Sequence, residues 1–320
     1  MTFPIKRDPK DYAVLLSKGL AMGAADVVPG VSGGTVAFIT GIYDELLYSL
    51  KQCGPASLSI LFGRGFGEFW RYINGSFLLA VFGGILISLK TFASIIGYCL
   101  DHYPLMVWGF FSGLIAASVY LLAKDQPRWR WSQWLMCVLG IVLVVAVSTF
   151  KPTQLPGAWW ILFLGGFIAI CAMILPGISG SFILLLLGLY PVFLAAISEL
   201  DILALASFGA GCVCGLLVFS RFLSWLLDKY HHHTVSCLIG FLIGSINVTW
   251  PWKQTLKSVT DRHGEIIPLV QQNVMPGTYV ELTGQAAQMA QVVVLTFFGA
   301  LLVLLFSVVA QGKSKVPVKD

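Results

Sequence analysis

Two short stretches place a proline, glycines and a serine inside long apolar segments: PGVSGG at 29–34 and PGISGS at 176–181. Proline lacks an N–H donor and glycine adopts unusual dihedrals, so each stretch is predicted to interrupt a helix. The serine of each stretch is a residue type that caps the helix that follows. Free backbone N–H groups and the positive dipole end of such a helix favour an anion, phosphate above all. These residues therefore predict an anion site.

The anion-binding residues predicted from the two stretches are Pro29, Gly30, Ser32, Gly33, Gly34, Pro176, Gly177, Ser179, Gly180 and Ser181. Charges inside apolar segments are functional candidates because each costs roughly 3 kcal/mol at mid-membrane. Arg221 and Lys90 are expected to contact the same anion, with Arg221 the better bidentate partner. Asp26 and Lys18 are expected to pair; alternatively, Asp26 caps a helix or carries a coupling proton. The plainer alternatives are tight turns without a ligand, and snorkelling of Arg221 and Lys90.

The composition is that of an integral membrane protein. The chain is 57% hydrophobic and 11% charged, with a mean hydropathy of +0.84, against roughly 25% charge in a soluble domain. A net charge of +5 indicates which loops face the cytoplasm rather than nucleic-acid binding. The polar, basic leader predicts no cleaved signal peptide. Six of the seven cysteines lie in or beside apolar segments, so we expect free thiols, no disulfides and no metal site.

We predict an all-α polytopic fold, because a membrane span needs about 20 apolar residues. Two longer segments, 12–50 and 158–198, contain the interruptions and are predicted to be broken re-entrant hairpins. The predicted plain spans are 76–97, 104–123, 132–149, 202–227, 234–250 and 290–310. Lysine and arginine cluster at the N-terminus, after residue 50, around 124–130 and at the C-terminus. If both hairpins return to their starting side, all four clusters and both termini are cytoplasmic.

The two halves repeat each other in order. Aligning the two interruptions also matches Gly41 and Tyr43 with Gly188 and Tyr190, and later the Gly-Phe pair at 109 with that at 240. Each half, 1–150 and 151–320, is thus a hairpin followed by three spans. Three is odd, so the second half enters from the opposite side. An inverted repeat with discontinuous helices is typical of secondary transporters, whose sites lie between the halves.

Other polar residues are expected to have lesser roles. Asp44 and Glu45 follow the first hairpin's turn and are expected to be solvated. His231, His232 and His233 are expected to form a solvated turn rather than a metal tract. The outer loop 251–289 is predicted to be an ordered surface loop or lid.

The paired PGVSGG and PGISGS motifs, with their GIYD and GLYP continuations and two GFxxG elements, resemble the bacterial undecaprenyl-phosphate translocases of the PopT type over essentially the whole chain. The resemblance implies a lipid transporter of the inner membrane. Its substrate would be undecaprenyl phosphate, moved from the outer to the inner leaflet for recycling. The implied headgroup site is the two motif turns. The implied partners are this lipid and the membrane lipids, with a proton or sodium as an open coupling ion, and no cofactor.

Two other functions compete with this hypothesis. A polyprenyl-diphosphate phosphatase also has re-entrant hairpins and a PGxS turn, but its motif carries an arginine where Gly33 and Gly180 stand here. Without that cation to stabilise the transferring phosphoryl group, we expect no enzyme activity. A chloride-like anion channel or exchanger remains an alternative, because it likewise aims broken helices at an anion.

Overall fold

A computed structural model describes residues 7–27, 32–126, 129–149, 155–260 and 266–313 of the chain. Within these residues the protein is helical except for one antiparallel pair of strands. The elements are α1 Pro9–Val27, α2 Gly33–Ile39, α3 Tyr43–Gln52, α4 Pro55–Arg64, α5 Phe66–Tyr72, α6 Gly75–His102, α7 Pro104–Asp125, α8 Trp131–Thr149, α9 Trp159–Ile174, α10 Gly180–Leu186, α11 Tyr190–Ser198, α12 Ile202–Thr249, β1 Lys253–Thr260, β2 Ile266–Asn273, α13 Pro276–Thr283 and α14 Met289–Lys313.

Among the described residues, α7, α8 and α12 are long and apolar enough to cross a membrane alone. The number rises to five if each of two bent pairs, α5 with α6 and α10 with α11, counts as one span. The helices α9 and α14 add shorter apolar segments. The segment predicted to be the second broken hairpin is interrupted at 175–179, between α9 and α10; in the first, α1 ends at Val27 and α2 begins at Gly33, and 28–31 lie outside the described residues. The chain is therefore a multi-pass helical membrane protein.

The boundary predicted between spans 202–227 and 234–250 coincides with a kink, where the structure has no separate loop. The stretch labelled α12 is two helices that meet at Tyr230, the residue with non-helical dihedrals, φ −129° and ψ 43°. The Thr234 hydroxyl donates to the carbonyls of Leu226 and Tyr230, at 3.2 and 3.0 Å, and so satisfies groups that the kink frees. His231 to His233 are consequently helical rather than a turn.

The segment 251–289, predicted to be a surface loop or lid, contains the strands β1 and β2 and the helix α13. Two indoles fasten it: Trp250 donates to the Val274 carbonyl and Trp252 to the Ala287 carbonyl, each at 2.9 Å. The Lys253 ammonium lies 4.3 Å from the centre of the Trp108 ring. Burial lowers the pKa of Lys253 to about 8, because the charged form loses hydration.

Glycines let the long helices approach closely. A Cβ atom at Gly19 of α1 would lie 2.3 Å from the Val81 carbonyl oxygen of α6, and one at Gly166 of α9 would lie 2.3 Å from that of Phe208 on α12. Small residues of this kind bring backbones together where lipid gives no hydrophobic drive to helix association. The helix pairs α1 with α6 and α9 with α12 therefore have matching contacts.

A second set of glycine contacts joins the two halves of the chain. The helix α14 packs on α7, where a Cβ atom at Gly113 would lie 1.9 Å from the Thr296 carbonyl oxygen. The helix α8 packs on the second part of α12, where a Cβ atom at Gly240 would lie 2.1 Å from the Cys137 carbonyl oxygen. The last helix of each half thus packs on the middle helix of the other half.

Candidate functional site

The first break is closed by side chains that cap α2. The Ser32 oxygen accepts a hydrogen bond from the Gly34 N–H at 3.1 Å, in the N-cap geometry expected of serine. The Asp26 carboxylate, at the end of α1, accepts from the Gly33 N–H at 2.6 Å. The N-terminal end of α2 is therefore already hydrogen-bonded to a carboxylate of the protein.

Asp26 and Lys18 occupy opposite ends of α2. The Lys18 ammonium donates to the Thr40 carbonyl, 2.7 Å away, at the C-terminal end of the helix. The helix dipole favours a negative group at its start and a positive group at its end. The helix α1 thus supplies one charge of each sign to α2, and the contacts of Asp26 and Lys18 are with this helix.

The second break begins another short helix without the same cap. Ser179 precedes α10, but its side chain makes no cap hydrogen bond and instead lies 2.9 Å from the Ser181 hydroxyl. Gly177 has φ +87°, a left-handed conformation that favours glycine. Met173 stands where the first half has Asp26. The start of α10 therefore has no carboxylate equivalent to that of Asp26.

The two breaks touch. The Ser32 hydroxyl donates to the Met173 carbonyl at 2.6 Å, and the Tyr43 hydroxyl donates to the Ile174 carbonyl at 3.1 Å. Both carbonyls belong to the last turn of α9, which leaves its final acceptors without helical partners. Hydroxyls of the first hairpin thus satisfy the helix end that opens the second break.

Two further contacts bring the breaks together. The Gly177 N–H donates to the Thr35 hydroxyl oxygen at 2.9 Å. A Cβ atom at Gly34 would lie only 2.5 Å from the Ile174 carbonyl oxygen, so glycine is required for the approach. Ser32, Thr35 and Ser179 are all buried. The residues 32–35 and 173–181 therefore form one polar cluster inside the protein, which we call the break cluster.

Most of the predicted motif residues lie in this cluster: Ser32, Gly33, Gly34, Pro176, Gly177, Ser179, Gly180 and Ser181. Pro29 and Gly30 lie outside the described residues. Lys90 belongs to α6, but its side chain lies outside the described part of the chain.

Arg221 lies at a different place. Its guanidinium donates to the Leu217 carbonyl at 3.1 Å and lies against Gly54, where a Cβ atom would be 1.8 Å from Nη2. Gly54 is the N-cap residue of α4. The structure therefore places this cation at the start of α4, and its contacts are not with the break cluster.

Sequence reasoning missed a buried ion pair. Glu45 is only 4% exposed, so the expectation that it is solvated is wrong. The Arg7 guanidinium donates to both carboxylate oxygens, one of them at 2.6 Å, and the Asn74 amide donates at 2.8 Å. Partners 38 and 29 positions away have no sequence signal that would pair them. Thr35 and the Tyr43 hydroxyl were missed for the same reason.

A cavity of about 230 Å³ lies beside the kink of α12. Its lining includes Tyr43, Asp44, Asp125, His231 and His232. Two carboxylates make this cavity unfavourable for an anion. Across the described ranges, no three histidine, cysteine, aspartate or glutamate side chains converge as metal ligands.

The chain is similar to proteins of known families. A family model described as VCA0040-like, undecaprenyl phosphate translocase-like, matches residues 22–267. The polyprenyl-phosphate transporter of Vibrio cholerae serotype O1 is 44% identical over 294 residues, which are 92% of this chain and 96% of the relative. The polyprenyl-phosphate transporter of Staphylococcus aureus is 32% identical over 252 residues, 73% of this chain and 84% of the relative. No solved structure matches. The chain belongs to the VCA0040-like family of undecaprenyl phosphate translocase-like proteins.

Proposed function

We propose that this protein transports polyprenyl phosphate, in bacteria undecaprenyl phosphate, from the outer to the inner leaflet of the cytoplasmic membrane. The observation that carries the proposal is the close similarity to polyprenyl-phosphate transporters over nearly the whole chain. Transport requires a polar place for the headgroup inside an apolar protein, and the break cluster is such a place. The prenyl tail remains in the lipid and reaches the cluster between helices.

The headgroup binds at the break cluster, and the second break makes most of the contacts with the phosphate. Asp26 already accepts the Gly33 N–H, so a phosphate at the first break meets a carboxylate that repels it. Met173 brings no such charge to the second break. Hydroxyls of Ser179 and Ser181 are the donors offered there. Arg221, at the start of α4, then meets the phosphate on its way into or out of the cluster.

The two halves, 1–150 and 151–320, form an inverted repeat. Three matched features support this proposal: each half has a broken hairpin, α1 packs on α6 as α9 packs on α12, and the last helix of each half packs on the middle helix of the other. The 48 residues of α12 are about twice the number that one crossing needs. The kink at Tyr230 therefore divides it into two spans, and both termini lie in the cytoplasm.

The test is a transport measurement in liposomes that contain the purified protein and a labelled polyprenyl phosphate. We expect transbilayer movement by the wild type without release of inorganic phosphate. Ser32→Ala/Ser179→Ala and Arg221→Ala should both slow it. Ser17→Ala is the matched control, since that exposed hydroxyl bonds only a carbonyl of its own helix in the described contacts, Val14, at 2.8 Å.

Each other outcome points elsewhere. Movement no faster than in empty liposomes, under both a pH and a sodium gradient, would overturn the proposal. Chloride flux in the same liposomes would then favour an anion channel, and released phosphate would favour a phosphatase.

A further inference from the structure

The helices α4 and α5 stand apart from the rest of the protein. Ser57 is the one buried residue of α4, and α5 has none. Large apolar side chains are nonetheless exposed on them: Leu58 by 53%, Phe62 by 86% and Phe66 by 64%. Exposed apolar side chains in such a contiguous run mark a surface that contacts something else.

The helix α5 is amphipathic, and α4 carries its most exposed large apolar side chains on one face. On α4, at 100° per residue, Leu58 and Phe62 share one face while Ala56 lies on the other side. On α5 the rings of Phe66, Phe69 and Trp70 cluster, with centroids 5.5 to 6.1 Å apart. Arg71 and Glu68 occupy the opposite side of α5, and Arg64 is 73% exposed at the end of α4.

The direction of α5 is fixed by its junction with α6. The two helices meet at 70°, so α5 lies nearly parallel to the membrane plane if α6 crosses it. The Trp70 indole holds this angle, because it donates to the Ser76 hydroxyl at 3.0 Å and its ring packs on Gly75. Specific side-chain contacts therefore fix the angle between α5 and α6.

The apolar surface of the two helices continues along α6. Leu79 and Leu86 are 64% and 66% exposed on that helix, and Phe82 is 41% exposed. These side chains face the lipid tails if α6 crosses the membrane. The amphipathic helix α5 lies next to the end of this apolar surface and nearly in the membrane plane. A helix in this position lies at the boundary between lipid tails and headgroups.

We propose that α4 and α5 form an in-plane platform that lies in the headgroup layer on the N-terminal side of the membrane and binds anionic lipid headgroups there. On the two helices Arg64 and Arg71 outnumber Glu68, which lies 3.9 Å from Arg64, so the platform attracts an anionic surface. Arg221 contacts Gly54 at the start of α4, and the platform thereby holds this guanidinium near headgroup depth. The proposal is independent of whether polyprenyl phosphate is the cargo.

The test measures how deeply α4 sits in a bilayer. An environment-sensitive fluorescent amino acid replaces either Phe62 or Ala56, as matched positions on opposite faces, in the full chain reconstituted in phosphatidylcholine and phosphatidylglycerol vesicles. Lipids with a nitroxide in the upper part of the acyl chain should quench the probe at position 62 about threefold more strongly than at position 56. Equal quenching at both positions would overturn the platform and leave a protein partner as the occupant of this face.

The anionic preference has its own readout. Nitroxide-labelled phosphatidylglycerol should quench the probe at position 62 about twofold more than nitroxide-labelled phosphatidylcholine. The Arg64→Gln/Arg71→Gln variant should remove this preference, while Lys124→Gln, at the end of α7, should keep it. Identical quenching by the two lipids in the wild type would contradict the charge complementarity.

Discussion

The two breaks have nearly the same sequence but different local electrostatics. In the first, Ser32 caps α2, Asp26 holds its start and Lys18 its end. In the second, Ser179 bonds Ser181 rather than capping α10, and Met173 replaces the acid. In the first break, charged side chains of the protein already bind both ends of the short helix. The second break has hydroxyls but no equivalent carboxylate.

This difference assigns different roles to the two copies. The first break is a braced element whose hydroxyls also bond the end of α9, through Ser32 and Tyr43. In the proposed transport, the second break is the copy whose hydroxyls contact the phosphate. A sequence repeat thus does not imply that both copies contact the ligand equally.

The largest effect is expected at two tightly packed glycines of the break cluster. Gly34→Ala and Gly177→Ala would place a methyl group 2.5 Å from the Ile174 oxygen and 2.7 Å from the Phe241 oxygen, respectively. Overpacking of this kind costs about 1–3 kcal/mol, and the positive φ of Gly177 adds strain. We expect liposome transport to fall by at least about tenfold, which equals 1.4 kcal/mol in the barrier.

Gly209→Ala is the matched control for both variants. Gly209 also lies in an apolar helix, but a Cβ atom there meets nothing within 4 Å. Its transport should stay at the wild-type level. If all three variants behave alike, the close packing of the break cluster is not required.

A second prediction concerns an anchor that the second hairpin lacks, since the repeat aligns Glu45 with Val192. Glu45→Ala leaves the Arg7 charge without its carboxylate partner in a largely buried place. Breaking such a pair should lower the free energy of unfolding in detergent by about 2–4 kcal/mol. Glu68→Ala, which removes a pair with both side chains more than half exposed, should change it by less than about 0.5 kcal/mol. Equal losses would contradict the burial of the Arg7 pair.

The third prediction transfers the acid from one break to the other. Met173→Asp places a carboxylate beside the second break and should weaken polyprenyl phosphate binding by about tenfold through like-charge repulsion. Met173→Asn, which adds polarity without charge, should bind within about threefold of the wild type. Direct binding of the labelled lipid to purified protein separates the two. Similar weakening by both variants would mean that size rather than charge matters there.

The smallest effect separates the two serines. Ser32→Ala removes a helix cap and a donor to Met173, which should cost about 1–2 kcal/mol of stability. Ser179→Ala removes a hydroxyl that lies against Ser181 and should cost about 0.5 kcal/mol. Unfolding midpoints of the two variants provide the measurement. If Ser179→Ala lost more stability than Ser32→Ala, the stabilising role would belong to the second break rather than to the first.

The sequence predicted the breaks because proline and glycine act locally on the backbone. It also offered helix capping as one role for Asp26, since the spacing from Asp26 to Gly33 is short. It did not predict that Thr35 meets Gly177 or that Arg7 meets Glu45, because such partners are set by packing between distant helices. The boundary between spans 202–227 and 234–250 was predicted, because polar residues interrupt the apolar sequence there, but the three histidines after Tyr230 are helical rather than a turn.

The most direct test of the central claim is to locate the phosphate headgroup. A polyprenyl phosphate analogue with a photoreactive group beside the phosphate would be cross-linked to the reconstituted protein, and the modified residues identified by mass spectrometry. The proposed site predicts adducts in 173–181 and in 32–35, with more in the second break, and competition by unlabelled lipid. Adducts confined to Gly54 and Arg221, or to the cavity beside the α12 kink, would contradict it.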